Sequence, residues 1–413
     1  MAVRVPMDLS EIPALWHEAP RRWGHGLHSL CSYFAMFPAQ LAHTMIAWLS
    51  QPGDRVYDPF AGRGTVALEA ALLGREAFSS DANPLAWVLS TAKTVVPRRS
   101  TLLARVTRLE ASFRQRTVDT SAVPPEISML YSPGTLAQLV FLKAELNRDN
   151  PTDCFLIATI LGMLHANHGK DGATRGFSIS MPNTFAMAPG YVERYIRDHG
   201  LTRPEVDVFE MLRKRIEKLD LPTEQRASGR AWLQDATATP PEWLRQQPAR
   251  LVVTSPPYLQ VIRYGKYNWV RLWFLGEDWR RVDSQLMASA SMDGYVEFMK
   301  KVCGQLNEVV TPDGYLCFVI GDVRRPTSED EGASINLASA VWERVAKPLG
   351  WHLHGIIADE LPEGQKVSRI WKNNSGRATK VDRLLVMSRT QTELPPLVKP
   401  TWTKPSFASE TAA

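Results

Sequence analysis

Residues 55–81 read RVYDPFAGRGTVALEAALLGREAFSSD, and this stretch decides the fold. A short apolar run, residues 55–58, leads into a loop with two glycines and then into a helical stretch over residues 66–73. Gly74 ends that helix, and residues 76–81 read as a second strand. Strand, glycine loop, helix and strand in this order predict a βαβ unit and hence a parallel sheet.

The loop of this unit, DPFAGRGT (58–65), favours close approach of a ligand. Gly62 and Gly64 let the backbone turn sharply and place no Cβ in a ligand's way. No lysine follows Gly64 and Ala67 stands where a third glycine would be, so neither the triphosphate loop nor the dinucleotide fingerprint is matched. Asp58 suits a cationic or amino-bearing ligand, and Asp81 is placed to accept hydrogen bonds from ribose hydroxyls. An ordinary turn without a ligand is the alternative.

A second apolar run ends abruptly in TSPPY, residues 254–258. Pro256 and Pro257 lack N–H groups and form a rigid corner whose carbonyls stay free. Ser255 adds another acceptor, and Tyr258 adds a flat ring on which a planar base could stack. The corner could therefore hold a nucleobase by its exocyclic amine, although a proline-terminated strand before a loop is the plainer interpretation.

Elsewhere the pattern predicts one α/β domain split by a mostly helical insertion. Further strands are expected at 251–254, 314–322, 352–357 and 383–388, with helices over 38–50, 295–309 and 335–347. Residues 101–229 form the insertion, with helices expected over 136–146, 154–164 and 206–219. Residues 391–413 are rich in Pro, Ser and Thr and are expected to be a disordered tail.

Composition sets broad limits on the protein. With 413 residues, 44% of them apolar, the chain can bury a substantial core. Its net charge of +5 is compatible with a polyanionic partner without being diagnostic. The four cysteines are scattered, so neither a metal site nor a disulfide framework is expected, and a reducing compartment is favoured. With no signal peptide and no membrane span in view, we expect a soluble cytoplasmic protein with no membrane partner.

Together the two motifs resemble those of the S-adenosylmethionine-dependent amino-methyltransferases that act on DNA. DPFAGRGT resembles the cofactor loop of that family, and TSPPY resembles the catalytic motif of its N4-cytosine branch. The N6-adenine branch more often carries Asp or Asn where this chain has Ser255. The segment from His28 to Pro38 resembles the motif that closes over the methionine end of the cofactor. SDANPLA (80–86) resembles the ribose-binding segment, and Asp235-Ala236 the adenine-binding one.

The resemblance covers roughly residues 25–95 and 230–390 and implies both a fold and a set of site residues. The implied fold is a doubly wound, mostly parallel, seven-stranded Rossmann-like methyltransferase sheet. Its catalytic domain would comprise residues 1–100 and 230–390, and the insertion would recognise the target. The implied cofactor-binding residues are Phe37, Pro38, Asp58, Phe60, Ala61, Gly62, Gly64, Thr65, Asp81, Ala82, Asn83, Asp235 and Ala236. The implied catalytic residues are Ser255, Pro256, Pro257 and Tyr258.

By this resemblance the cofactor is S-adenosylmethionine and the substrate is the N4 amine of a cytosine flipped out of duplex DNA. Flipping the base costs a few kcal/mol. A cognate restriction endonuclease is a candidate partner, and the protein would associate with nucleoid DNA. The target sequence and the oligomeric state are not readable from the sequence.

Residues that would contact DNA are less well indicated. The insertion holds 16 Lys and Arg against 15 Asp and Glu, so it is not broadly basic. Local candidates are the loop 165–185, the basic stretch 366–383 and the segment after TSPPY. The residues concerned are Lys170, Arg175, Arg263, Tyr264, Lys366, Arg369, Lys372 and Arg377.

Three other functions stay open. The same chemistry could act on adenine N6, or on an amine in RNA. The chain could also be a nucleic-acid-binding module with an inactive site, although intact Asp58, Gly62, Gly64 and Ser255 argue against this. The absence of a Pro-Cys dipeptide argues against methylation of a ring carbon.

Overall fold

The computed structural model describes residues 9–20, 23–33, 38–165, 174–181, 188–258, 263–286, 291–324, 334–360, 378–397 and 399–407. In these ranges the strands are β1 (Arg55–Asp58), β2 (Glu76–Asp81), β3 (Val95–Val96), β4 (Arg226–Ala227), β5 (Gly229–Leu233), β6 (Ala249–Thr254), β7 (Val310–Arg324), β8 (Ser334–Ile335), β9 (His352–Glu360) and β10 (Ala378–Ser388).

The helices are α1 (Ile12–His17), α2 (Ala39–Leu49), α3 (Thr65–Leu72), α4 (Pro84–Thr94), α5 (Arg99–Phe113), α6 (Pro125–Ser128), α7 (Pro133–Glu145), α8 (Pro151–Leu161), α9 (Pro189–Asp198), α10 (Val208–Lys218), α11 (Glu242–Gln246), α12 (Tyr264–Tyr267), α13 (Trp269–Leu275), α14 (Trp279–Gln285), α15 (Met292–Val309) and α16 (Leu337–Val341). Short 3₁₀ turns span Leu9–Glu11, Gly26–Ser29 and Lys347–Leu349, and a π turn spans Trp342–Ala346. In the part of the chain described, no helix combines the length and apolarity needed to cross a bilayer.

Seven strands form one sheet in the order β5-β2-β1-β6-β7-β10-β9, and β8 pairs with β7 beside this path. The strands from β5 to β7 run parallel to their neighbours, whereas β10 is antiparallel to both β7 and β9. The chain builds one half of the sheet before the other, so the order reverses between β1 and β6. Ligands of such sheets bind outside the carboxyl ends of the strands at this reversal. The expectation of a doubly wound, mostly parallel, seven-stranded sheet is confirmed.

Successive side chains of the central strands alternate between two cores, one on each face of the sheet. Tyr57, Val252 and Phe318 belong to the core that also holds residues of α15 and α16. Val56 and Leu251 belong to the opposite core, which α2 and α3 complete. Because both faces are covered, these strands read as continuous apolar runs in the sequence.

The helices of the insertion pack on α4 and share one core with it. Leu85 and Leu89 of α4 lie in the same cluster as Phe155 of α8 and Phe209 of α10. Leu27, from the 3₁₀ turn near the N-terminus, joins this cluster as well. The predicted helices over 136–146, 154–164 and 206–219 correspond to α7, α8 and α10. The insertion therefore lies against the segment before α2 as well as against α4.

The C-terminal residues differ from the expected disordered tail over the part that is described, 391–397 and 399–407. Trp23 Nε1 donates a 2.9 Å hydrogen bond to the carbonyl of Thr403, and Trp48 Nε1 donates one of the same length to that of Pro395. The ring of Phe407 is buried against His25, with centroids 4.6 Å apart. Aromatic contacts therefore hold this segment on the N-terminal part of the chain.

Candidate functional site

The two sequence motifs meet where the strand order reverses. Asp58 ends β1, Thr254 ends β6, and the two strands are direct neighbours in the sheet. Thr254 Oγ1 donates a 2.6 Å hydrogen bond to Asp58 Oδ1, which also accepts the N–H of Phe60 at 3.0 Å. The glycine loop and the TSPPY corner are thus joined by a side-chain hydrogen bond at the position where such a fold binds ligands.

Asp58 carries the main electrostatic feature of this junction. Asp58 is buried, with only 1% of the residue exposed to solvent. Burial raises the pKa of Asp58 to about 7, opposed by the hydrogen bonds from Thr254 and Phe60 and reinforced by the nearby Asp81. A cationic group of a ligand would favour the ionised carboxylate, so the site is suited to such a group.

Helix α4 fixes the glycine loop from behind. Gly64, the residue before α3, has φ of +73°. A Cβ at this position would lie 2.9 Å from Ser90 Cα, so a side chain has no room. Lys93 of α4 is buried and donates a hydrogen bond to the carbonyl of Arg63. Burial lowers the pKa of Lys93 well below its ordinary value, and the charge of Arg63 adds to this.

Asp81 lies at the end of β2 and faces the same loop. Its Oδ2 accepts the N–H of Gly62 at 2.9 Å, and its Oδ1 accepts the N–H of Asn83 at 2.8 Å. Burial raises the pKa of Asp81 to about 6, opposed by these two backbone hydrogen bonds and reinforced by the charge of Asp235. Each carboxylate oxygen keeps a lone pair for a further donor, which is what a pair of ribose hydroxyls requires.

Tyr33 is a site residue that the sequence reasoning missed. Asn83 Nδ2 donates a 3.0 Å hydrogen bond to Tyr33 Oη, and a Cβ on Gly62 would lie 3.5 Å from the ring. Tyr264, for which a DNA contact was expected, stacks on Tyr33 with centroids 5.7 Å apart and planes at 27°. For both tyrosines burial raises the pKa, and the charge of Asp81 adds to it. The two rings therefore lie on the cofactor-loop side of the site.

The side of the site beyond Asp81 has apolar walls. Phe60 packs on Phe298 with ring centroids 6.0 Å apart, and Phe60, Trp232 and Ala236 border the same core cluster. Asp235 is exposed, and its Oδ1 accepts both the N–H and the hydroxyl of Thr237 at 2.7 Å. A planar apolar ring could lie between such walls, with polar groups at the rim.

A buried carboxylate braces the segment before α2, and sequence reasoning missed it as well. Glu69 of α3 lies 2.6 Å from His28 Nε2 and 3.0 Å from His43 Nδ1. Burial lowers the pKa of His28 to about 4, opposed by Glu69, so the ring is neutral at pH 7. Arg63 of the glycine loop donates a 3.2 Å hydrogen bond to the carbonyl of His28. The loop and the segment around His28 are therefore tied to one another.

Hydrogen bonds order the side chains of the TSPPY corner. Pro256 is buried, while Ser255 and Pro257 are half-buried. Ser255 Oγ lies 3.2 Å from Tyr258 Oη, which lies 3.4 Å from the carbonyl of Val319. The corner is thus linked to β7, the neighbouring strand.

Some of the remaining residues suggested by the sequence lie in or beside the glycine loop, and others are exposed or lie outside the described ranges. Ala61 donates its N–H to the carbonyl of Ser80 at 3.1 Å, and Thr65 Oγ1 accepts Arg63 Nε at 3.1 Å. Pro38 precedes α2, and Ala82 lies half-buried after β2. Arg175 and Arg263 are exposed. The residues that lie outside the described ranges are Phe37, Lys170, Lys366, Arg369, Lys372 and Arg377.

Comparison with known proteins identifies relatives of this chain. Residues 10–87 match the family model N6_N4_Mtase, described as DNA methylase. The Type II methyltransferase M.MvaI of Kocuria varians is 24% identical over 259 residues, which cover 58% of this chain and 56% of that relative. The chain thus spans just over half the length of this curated relative.

Two solved structures resemble the chain at low similarity. TrmN from Thermus thermophilus has a TM-score of 0.33 and 11% identity, covering 88% of this chain and 52% of its own. The rRNA methyltransferase AviRa from Streptomyces viridochromogenes has a TM-score of 0.31 and 11% identity, and the match covers 93% of this chain and 94% of that one. At these TM-scores neither likeness bears on the substrate.

The cofactor of the matched family is S-adenosylmethionine, and the site residues fit it. Asp81 offers two acceptors for ribose hydroxyls, and Phe60 and Ala236 offer apolar walls for an adenine ring. Asp58 offers a carboxylate toward a cationic end. In the described residues no cluster of side chains could hold a metal ion.

Proposed function

We propose that this chain is an S-adenosylmethionine-dependent DNA amino-methyltransferase that methylates the exocyclic N4 amine of cytosine in DNA. The observation that carries the proposal is the hydrogen bond between Thr254 and Asp58. Through it, the serine and proline of the TSPPY corner are held next to the glycine loop, where the methyl donor would lie. The serine in this motif favours cytosine N4 over adenine N6.

Positioning and electrostatics are the proposed contributions of the protein. When bound, the cofactor supplies an electrophilic methyl group on a sulfonium. Ser255 Oγ and the carbonyl of Pro256 accept the two hydrogens of the N4 amine. Because the lone pair of this nitrogen is delocalised into the ring, accepting its hydrogens favours a pyramidal nitrogen and increases its charge. The corner also holds the amine in line with the methyl group, which lowers the entropic part of the barrier.

The proposed substrate is a base flipped out of duplex DNA, since a stacked cytosine cannot reach a donor at this depth. Contacts to the flanking phosphates are proposed at α12, which follows the corner. Arg263 is exposed, and Lys266 is half-buried on this short helix. Asp283 is occupied by the N–H groups of Gly265 and Lys266. Two basic side chains therefore lie on the segment that follows the corner, where they could contact phosphates.

Target recognition is proposed for the insertion, together with the loops that hold Lys170, Arg175 and the basic stretch 366–383. Arg271 of α13 supports this placement. It donates hydrogen bonds to the carbonyl of Leu161, at the end of α8, and to the carbonyl and hydroxyl of Ser32. The end of α8 therefore lies next to the segment that carries Tyr33. A cognate restriction endonuclease stays a candidate partner.

The experiment is methyl transfer from labelled cofactor to duplex DNA, followed by analysis of the modified nucleosides. N4-methylcytosine as the product supports the proposal, whereas N6-methyladenine as the sole product overturns the choice of base. Structured RNA is offered in parallel, and a preference for RNA would overturn the choice of DNA. Ser255→Ala serves as the control with strongly lowered but measurable methyl transfer, since it removes one acceptor at the amine and leaves the groups around Asp81 intact.

A further inference from the structure

Tyr258 has its ring packed on the neighbouring strand. A Cβ on Gly321 of β7 would lie 2.8 Å from Tyr258 Cε2 and 3.3 Å from Cδ2. The ring also borders the core cluster that holds Phe318 and Tyr295. One face of the ring is therefore occupied by β7. The hydroxyl, by contrast, lies within reach of two oxygens, Ser255 Oγ at 3.2 Å and the carbonyl oxygen of Val319 at 3.4 Å.

The direction of these two hydrogen bonds follows from the groups involved. A carbonyl oxygen can only accept, so both contacts are hydrogen bonds at once only when the single proton of the Tyr258 hydroxyl is donated to Val319. Tyr258 Oη is then the acceptor toward Ser255, and the Ser255 proton is donated to it. Burial raises the pKa of Tyr258 above its ordinary value, and the charge of Asp382 adds to this, so the hydroxyl keeps its proton. Both lone pairs of Ser255 Oγ consequently face away from this chain of hydrogen bonds.

We propose that Tyr258 is a positioning residue whose hydroxyl fixes the Ser255 hydroxyl as a pure acceptor for the substrate amine. This inference rests on the proposed function, in which Ser255 accepts a hydrogen from that amine. The chain Ser255–Tyr258–Val319 keeps the serine proton away from the amine. Without it the serine hydroxyl can rotate and donate to the amine nitrogen, which would occupy the lone pair that attacks the methyl group.

Gly321 leaves the space that the Tyr258 ring occupies against β7. Tyr258 reaches Val319 only because its ring crosses β7 at a residue without a side chain. A methyl group at Gly321 would overlap the ring and displace the hydroxyl from Val319 and Ser255. Glycine inside a strand ordinarily weakens the strand, and close approach of another group is a common reason for it.

The test replaces Tyr258 by Phe, which keeps the ring and removes only the hydroxyl. We expect kcat to fall about 10- to 100-fold while the dissociation constants of cofactor and DNA stay unchanged, as for loss of one hydrogen bond to a reacting group. In the Ser255→Ala background the same change should cause no further loss, because the serine that Tyr258 orients is gone. Full turnover of Tyr258→Phe, or losses that multiply in the double variant, would overturn the proposal.

A second readout does not depend on methyl transfer. In protein with ring-labelled tyrosine, the infrared C–O stretch of Tyr258 is isolated by subtracting the spectrum of Tyr258→Phe. In the wild-type protein we expect the Tyr258 hydroxyl to donate to Val319 and to accept from both Ser255 and the backbone N–H of Gly321. In Ser255→Ala we expect only the hydrogen bond from Ser255 to be lost, which shifts the C–O stretch. A spectrum that Ser255→Ala leaves unchanged would show that the two hydroxyls are not bonded and would also overturn the inference. If the wild-type protein methylates no amine, the proposed function fails, and this spectrum still decides the hydrogen-bond direction.

Discussion

Thr254 Oγ1 lies 2.6 Å from Asp58 Oδ1, and this hydrogen bond joins the ends of two neighbouring parallel strands. It also lowers the pKa of Asp58, which burial raises to about 7. The threonine therefore has two effects, since it fixes the TSPPY strand end against the glycine loop and favours the ionised carboxylate. Both effects should be visible in cofactor binding.

We expect Thr254→Val to weaken binding of S-adenosylmethionine about tenfold near pH 7, which corresponds to about 1.4 kcal/mol. Without the hydroxyl the pKa of Asp58 rises further, so a smaller fraction of the carboxylate is ionised to meet a cationic ligand. The loss should shrink at higher pH, where Asp58 is ionised in both proteins. Calorimetric titration at two pH values measures this, with Thr254→Ser as the matched control. Equal losses for Val and Ser would assign the effect to packing.

The stability of the protein should fall as pH rises through the range in which Asp58 titrates. Its pKa is about 7 in the folded protein and about 3.9 in an unfolded chain. Between these values the folded state holds a proton that the unfolded state has lost, so the free energy of unfolding decreases with increasing pH. Asp58→Asn removes this term. We therefore expect its urea-unfolding free energy to fall less than that of the wild type between about pH 4 and about pH 7.

Asp81→Asn is the companion variant for that measurement. The pKa of Asp81 is raised to about 6. Replacing this carboxyl group should therefore flatten the dependence of the unfolding free energy on pH only up to about pH 6, whereas Asp58→Asn flattens it up to about pH 7. Asp81→Asn should also weaken cofactor binding more than it changes kcat, because the role we propose for its carboxylate is to accept the ribose hydroxyls. A pH profile that both variants leave unchanged would contradict the burial of these carboxylates.

Local patterns account for the parts of the fold that the sequence made predictable. The predicted bounds of β1 and β2 agree with the structure, because apolar runs flanked by glycine and charged residues have strong local signals. Helix α4 was not predicted, although Asn83 caps it by accepting the N–H of Leu85 and Pro84 opens it. That pair of residues is an ordinary helix-start signal. The resemblance of residues 80–86 to a ribose-binding segment predicts ligand contacts there and no helix.

Contacts between distant segments account for what could not be predicted. Glu69 meets His28 and His43 only once α3 packs on the N-terminal part of the chain. The stacking of Tyr33 on Tyr264 joins residues from two separate motifs. A single sequence contains no signal for such pairings, which depend on how the sheet and the insertion pack.

The C-terminal segment illustrates the same limit and leads to a prediction. Its composition suggests disorder, yet the ring of Trp402 lies 4.9 Å from that of Trp23 and 5.9 Å from that of His43. We expect Trp402→Ala to lower the free energy of unfolding by about 1 to 3 kcal/mol through lost packing. Leu349→Ala, at an exposed leucine, is the control and should change it by less than about 0.5 kcal/mol. Equal small effects would show that the segment is not docked.

Replacing Gly64 by Ala tests whether α4 holds the glycine loop in place. Its φ of +73° disfavours any side chain, and a Cβ would lie 2.9 Å from the backbone of Ser90. Gly53 has φ of +86° but nothing within 4 Å of such a Cβ, so Gly53→Ala measures the conformational strain alone. We expect Gly53→Ala to cost about 1 kcal/mol and Gly64→Ala to cost at least about 2 kcal/mol more in urea unfolding. Only Gly64→Ala should also abolish cofactor binding, since α3 and the loop must move away from α4 to make room. Equal costs for the two substitutions would mean that the contact between the loop and Ser90 is loose enough to yield.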